Sequence, residues 1–453
     1  MKRRIFGIET EYGITASNPD GSNAKVDAEE AARALFAPAL EQSRSTNLFL
    51  KNGGRLYLDV GAHPEYATAE CDELWDLLAQ VRAGSEMLAA MATDADGRLE
   101  AGTIHLFANN QDFEGSSYGC HENFLLRRSR DFRAMVDSLV AFFVTRQIIA
   151  GAGDLRTDKD GRTRYVISAR ADRMQDAVSA ATTRSRPIIN TRDEPLGDAS
   201  SYRRLHVIVG DTNVAEPTTA LKVASADLVL SALEAGVDFT DLELADPMDA
   251  IRTISEDLEG CARLKLADGR RLTAAEIQAE YRNRSAGQLD PNNQLYVYLF
   301  DLWGRAINAN ASGDWSAIET EIDYAIKKRL VDGYCKRQKV TLGDPRVARL
   351  VLAYHDITPA GLAPKMEQGG LMQRLSSPEQ VRGAQEVPPQ STRASLRGAV
   401  IGAAQEAGRT LGVDWVNLRL EGSSTQVALQ DPFAVEDPRI PGLIQEISEG
   451  GSH

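Results

Sequence analysis

Glu9 and Glu11 lie two residues apart in a β-rich opening segment, so both side chains emerge on one face of a strand. Ile8, Thr10 and Tyr12 take the other face. Carboxylates side by side repel unless a cation sits between them or water screens them. Arg55, Tyr57 and Asp59 repeat the pattern in a strictly alternating run, with Leu56, Leu58 and Val60 toward the core. Glu65 and Glu70 follow on the expected return strand. These five acidic groups, with one Tyr and one Arg, form an oxygen-rich set. Oxygen donors without Cys favour Mg²⁺ or Mn²⁺ over zinc, and an Arg fork suits a phosphate. A solvated sheet face with ordinary cross-strand ion pairs explains the same spacing.

A second group lies mid-chain. Between Arg162 and Arg204 there are nine arginines against five acids, in a chain whose formal net charge is −14. Arg204 and His206 alternate onto one strand face, with Leu205 and Val207 opposite. Such arginines can grip phosphate or carboxylate, or simply form surface ion pairs. His121 and Asn123 alternate likewise, and a lone strand histidine is more often structural. Trp415 has the composition of a core residue as readily as of a ligand platform.

The elements that must hold these groups read as α+β. Strands are expected at Arg4 to Ile14, Arg55 to Val60, Glu65 to Cys71, Thr103 to Phe107, Cys120 to Leu126, Tyr165 to Ser168 and Leu205 to Val209. Asp27 with Glu30 reads as a capping box, and Asp72 as the cap of a helix carrying Leu74, Leu77, Leu78 and Leu88. Helices are expected at Thr219 to Ala235, Ala317 to Lys336 and Leu396 to Leu411. Strands are not followed one-for-one by helices, so the sheet is expected to be antiparallel. Val387-Pro388-Pro389-Gln390 reads as a linker, dividing residues 1–386 from a small C-terminal domain at 387–449, with 450–453 (GGSH) as an expression remnant.

The chain has 453 residues, 43% hydrophobic and 26% charged, enough for a sizeable core. Its acidity argues against nucleic acid and anionic membranes as partners. No apolar run spans a bilayer, and the opening apolar stretch ends too soon for a signal peptide. Four scattered cysteines form no Cys-x-x-Cys pair and suit the reducing cytoplasm. Walker, Rossmann and zincin motifs are all missing.

Residues 4–13 (RIFGIETEYG), 52–71 (NGGRLYLDVGAHPEYATAEC) and 117–123 (SYGCHEN) resemble the family of ligases for the prokaryotic ubiquitin-like protein, Pup. So do 183–195 (TRSRPIINTRDEP), 202–211 (YRRLHVIVGD), 301–305 (DLWGR), 354–357 (YHDI) and 413–415 (VDW), in the family's order. The resemblance implies a glutamine synthetase-like large domain, with a curved antiparallel sheet cradling ATP, plus a small C-terminal domain. It implies magnesium ligands at Glu9, Tyr57 and Glu65. ATP contacts are implied at Arg55, Thr68 and Trp415, and a general base at Asp59. Glu11, Arg203, Arg204 and His206 fall in matching segments as phosphate or substrate contacts. The implied reaction activates the C-terminal glutamate of Pup as a γ-glutamyl phosphate and joins it to a lysine ε-amine of a target protein. A sister deamidase and depupylase shares the fold. It carries a long insertion ahead of the Arg-x-Tyr-x-Asp strand, and its Asp-His-Ala-His-Pro-Glu run differs from the residues after Asp59 here. A catalytically idle Pup or proteasome adaptor and a small-molecule amine ligase such as glutamate–cysteine ligase are the other readings. The likeness departs at Phe6, where Met is commoner, and in the polar loop from Asp154 to Arg164.

Overall fold

The computed structural model describes residues 3–18, 22, 26–43, 45–59, 61–99, 102–111, 117–181 and 186–449. Its strands begin with β1 (Phe6–Glu11), β2 (Gly13–Ser17), β3 (Asn47–Phe49), β4 (Arg55–Asp59), β5 (His63–Ala67) and β6 (Thr103–Phe107). They continue with β7 (Cys120–Arg127), β8 (Asp154–Thr157), β9 (Thr163–Val166), β10 (Asp176–Ser179), β11 (Pro187–Asn190) and β12 (Tyr202–Val207). Among the described residues, eight strands form one sheet in the order β10-β11-β12-β7-β1-β5-β4-β3. All its pairings are antiparallel except β10 with β11, so the α+β expectation holds.

One face of this sheet is core. The first five helices are α1 (Ala28–Ser43), α2 (Leu74–Asp96), α3 (Phe132–Thr145), the short α4 (Gln147–Ala150) and α5 (Glu216–Glu234), and Phe6, Ile8, Phe124, Leu126, Leu205 and Val207 are buried in one cluster with residues of α3 and α5. Leu35 and Phe36 of α1 and Leu88 of α2 close the core beneath Leu56 and Tyr66. Each such side chain contributes about 1.5–3 kcal/mol on leaving water. Because strand side chains alternate, burying this set forces Gly7, Glu9, Glu11, Tyr57 and Asp59 onto the opposite face.

Asp27 caps α1 as expected, accepting the Glu30 N–H at 2.8 Å. Asp72 does not cap α2. The N-cap is Glu73, and the Asp72 carboxylate is taken by Arg3 (2.7 Å from Nε) and Ser391. The expected single helix over Ala317 to Lys336 is a 3₁₀ turn, Ser316–Ile318, followed by the helix Asp323–Gln338. The break lets Asp323 accept the Val214 and Ala215 N–H groups. The return strand stops at Ala67, and Cys71 rejoins the sheet only through a bridge to Phe6. Val60 and residues 450–453 lie outside the described residues.

Beyond the Pro388-Pro389 stretch, the helices Ala394–Glu406 and Ile440–Glu449 pack on a three-stranded sheet. Val400, Leu418, Val427, Leu443 and Ile447 form a core of their own. Cys71, Cys120, Cys261 and Cys335 are all unpaired. No described helix is long and apolar enough to cross a membrane.

Candidate functional site

Strand register assembles the site. Glu9 stands opposite Ala67 on β5 and His121 on β7, and Ala67 stands opposite Arg55 on β4. One row further, Glu11 faces Glu65, which faces Tyr57. Asp59 and His63 close the hairpin. Asn123 faces His206 on β12. Residues separated by up to about two hundred positions thus share one polar sheet face.

At one end, ligand oxygens of Glu11, Asp59 and Glu65 lie within 4.8 Å of one another. Glu65 is buried and its carboxyl is pushed up to about 9, by burial first and then by the charges of Glu9 and Glu11. Tyr57 is held well above its ordinary value, by burial and then by Glu65 and Glu9. Gathered carboxylates raise one another in this way when no cation separates them. Asp59 is exposed at the end of β4.

Toward the centre, Glu9, His121 and His206 bring ligand atoms within 4.8 Å of each other. His121 Nδ1 lies 3.5 Å from Glu9 Oε2, and Asn123 Nδ2 donates to Glu9 Oε1 at 3.0 Å. Burial would raise the Glu9 carboxyl, but the His121 hydrogen bond and the His206 and Arg204 charges pull it well below the ordinary range. His206 is pushed down to about 3, by burial first, with His121 and Arg204 acting in the same direction. Its buried Nε2 has no hydrogen-bond partner, leaving a neutral imidazole lone pair or N–H aimed into the group. The donor chemistry fits a hard divalent cation: carboxylates and a phenol oxygen, with imidazole beside them.

Arg204 borders this group. Its Nη1 donates to Asn123 Oδ1 at 2.9 Å and lies 3.8 Å from Glu9 Oε1, while Nη2 meets Glu194 Oε2 at 3.1 Å. Beyond it opens a cleft between the sheet and the C-terminal segment. Gly7 and Ala67 keep its floor low, Leu196 and Pro432 line its sides, and Thr68 and Trp415 border it. Thr68 Oγ1 accepts the Ile8 N–H at 3.1 Å, so its hydroxyl proton remains to be donated. Trp415 meets Phe49 edge-on with ring centroids 5.0 Å apart. Arg55 stacks 3.9 Å over the Tyr57 ring, with its Nε on Asn47 Oδ1 at 2.7 Å.

Most of the expected residues therefore meet on one face: Glu9, Glu11, Arg55, Tyr57, Asp59, Glu65, Arg204 and His206. Thr68 and Trp415 meet at the adjoining cleft. Two acidic and basic expectations are corrected. Glu70 leaves the acidic set because β5 ends at Ala67, and it pairs with Arg393 and Arg397 instead. Arg203 points to the other face by strand alternation, stacking 3.7 Å over Phe132. The arginine island does not form one surface. Arg164 pairs with Glu256, Arg192 with Glu194, and Arg170 is buried on the Tyr118 carbonyl. Arg184 lies outside the described residues. His121 and Asn123 join the group although their own spacing marked them as structural. The signal available was their alternation, which became informative only once β7 paired with β1. Phe49 and Asn47 belong to a three-residue edge strand too short to show a period.

Residues 4–419 match the family described as Pup-ligase protein. The Pup–protein ligase of Sanguibacter keddieii is 49% identical over 98% of this chain and 99% of the relative. That of Saccharomonospora viridis is 50% identical over 99% of this chain and all of the relative. A crystal structure of the complex between Pup and its ligase PafA superposes with a TM-score of 0.93 at 41% identity, covering 100% of this chain and 92% of that one. A structure of the Pup ligase PafA with ADP gives 0.84 at 42% identity, covering 93% and 94%. With matching sequence along nearly its whole length and the same fold as the Pup ligase PafA, the chain belongs to the Pup ligase family.

Proposed function

We propose that this chain is an ATP-dependent ligase that joins the γ-carboxylate of the C-terminal glutamate of Pup to lysine ε-amines of target proteins, through a γ-glutamyl phosphate. One observation carries the reading: a single sheet face runs from an apolar cleft, past Arg204, into a crowd of carboxylates. An anhydride-forming ligase needs that sequence of a base pocket, phosphate grips and a cation site.

Within it, Trp415 offers a flat surface for the nucleotide base, and Thr68 a hydroxyl donor. Arg55 and Arg204 flank Ala67 and Glu9, where a small side chain leaves room for phosphoryl oxygens. Glu9, Tyr57 and Glu65 would hold Mg²⁺, with His206 and Glu11 beside them. When bound, Mg²⁺ offsets negative charge on the phosphoryl group in transfer. The Glu65 carboxyl, near 9, would release its proton to solvent on holding such a cation.

Asp59 is the proton acceptor for the attacking amine. Its exposure at the strand end suits a lysine that arrives on a folded protein rather than as a free small molecule. A lysine ammonium, with an ordinary pKa near 10.4, has no lone pair until a base removes its proton. Residues 1–386 would form the catalytic domain and 387–449 a small domain that completes the nucleotide cleft, since the latter has its own core. ATP use and four unpaired thiols fit a cytoplasmic enzyme. Incubation with Pup, ATP–Mg²⁺ and a lysine-bearing acceptor is expected to yield a mass-shifted conjugate. Unchanged reactants, with nucleotide bound, would overturn the reading.

A further inference from the structure

Glu70 sits at a junction that the reaction above does not use. Arg393 Nε meets its Oε1 at 2.8 Å, and Arg397 Nη1 the same oxygen at 3.0 Å. Arg397 Nη2 contacts the other oxygen. All three side chains are nearly inaccessible, at 10%, 2% and 0% exposed. Two guanidiniums bring the carboxyl down to about 2, although burial alone would raise it.

Each arginine reaches one wall of the cleft. Arg397 donates to the Trp415 carbonyl at 3.2 Å and lies 5.0 Å from the centre of its ring. Its Nη2 also holds the Gly53 carbonyl at 2.7 Å. Arg393 donates to the Leu196 carbonyl at 2.6 Å and to the Leu429 carbonyl at 2.8 Å. Leu196 has φ of 50°, a left-handed conformation that persists for a branched side chain only where its surroundings impose it. The seam is tight as well. Gly53, at φ 81°, would bring a Cβ to 3.0 Å from that of Ala394, and one on Gly398 would stand 2.4 Å from the Lys51 carbonyl oxygen.

We infer that Glu70 is a positioning residue for the nucleotide: it latches Arg393 and Arg397, and through them sets Leu196 and Trp415 on two sides of the cleft. This rests on assigning the cleft to the nucleotide. Glu70 follows Glu65 and Thr68 closely in the chain, so the carboxylate end, the cleft floor and the C-terminal segment are tied to a single stretch of backbone. A latch of this kind acts on ground-state nucleotide binding and leaves the reacting carboxylates in place.

The test uses the full chain with Glu70→Gln and Arg397→Lys. ATP is titrated in Pup conjugation, and ADP–Mg²⁺ is titrated calorimetrically. Losing the fork is expected to raise KM for ATP and Kd for ADP about tenfold or more. At saturating ATP, kcat should stay within about twofold, and KM for Pup should be unchanged. Glu70→Asp, which keeps the charge, should restore part of the affinity. A merely structural Glu70 would lower Tm and active fraction while leaving KM for ATP alone. Arg397→Lys keeps a cation opposite Glu70 and carries the test if Glu70→Gln does not fold. Wild-type ADP affinity in the folded variants overturns the inference, whereas failure of the wild-type chain to conjugate Pup strikes the proposed function itself.

Discussion

Glu65 and Glu70 are five residues apart in the chain, Glu65 buried and Glu70 with only 10% of its side chain exposed, yet their carboxyls move in opposite directions. Glu65 rises to about 9 among Glu9 and Glu11, and Glu70 falls to about 2 between two arginines. Burial pushes both upward, so the partners decide the outcome. The acidic end of the sheet is therefore a region short of positive charge, which a cation would complete under the proposed function. The seam beneath the small domain is already complete and serves to hold. A carboxylate's role is read from what faces it, not from how deeply it lies.

The largest effect expected from this contrast is at Asp59, on the incomplete side. Asp59→Asn keeps volume and removes only proton acceptance. Single-turnover conjugation should slow about a hundredfold or more, while the variant melts near wild type and binds ATP–Mg²⁺. Near-normal conjugation removes Asp59 as the base, and lost nucleotide binding reassigns it to the cation along with Glu11 and Glu65.

Glu65 sharpens the contrast through pH. Its proton competes with the cation, so Mg²⁺-dependent nucleotide binding should tighten as pH rises toward about 9. Without cation the sign reverses for stability: a carboxyl raised in the folded state loses its contribution as pH climbs through that value. Glu65→Gln should abolish both the pH slope and most of the melting shift with ATP–Mg²⁺. A shift equal to wild type would remove Glu65 from the cation site.

Glu70 gives the opposite slope. Its folded pKa lies below the ordinary value of 4.5, so its stabilisation is present above 4.5 and is lost as pH falls through about 2. The difference corresponds to at most about 3.5 kcal/mol. Chemical denaturation between pH 5 and pH 2 should show a shallower acid loss in Glu70→Gln than in wild type. Parallel curves would mean that the two arginines do not hold the carboxylate as described.

The smallest expected effect separates two adjacent arginines. Arg204→Ala should weaken nucleotide binding, since that side chain borders the cleft and Glu9. Arg203→Ala should cost about 1 kcal/mol of stability through its stacking on Phe132, with KM for ATP unchanged. Equal kinetic effects of the two would show that strand alternation does not divide their roles.

Strand alternation was legible directly. Leu56 is buried where the pattern put it, and Glu9, Glu11, Tyr57 and Asp59 share the polar face. The Asp27 cap was also foreseeable from local signals. The histidines were not, because a single strand says nothing about which strand lies beside it. His121 became part of the Glu9 group only through the register of β7 on β1. The arginine island misled for the related reason that charges adjacent in sequence alternate between faces and find separate partners. Glu70 misled because an acidic residue near others in sequence is not near them in space once the strand has ended.

By itself, the sequence determined the period-two alternation of each strand, hence which residues share a face, and the family motifs that run from residue 4 to residue 415. Those properties depend only on local backbone geometry and on residue identity. The tertiary structure alone decided the order of strands in the sheet, the register between them, and the pairing of Arg393 and Arg397 with Glu70. Pairing and docking are contacts between distant segments, and their free energy comes from surfaces that exist only after the chain has folded. Whether a carboxylate awaits a cation or grips an arginine belongs to that second kind of fact.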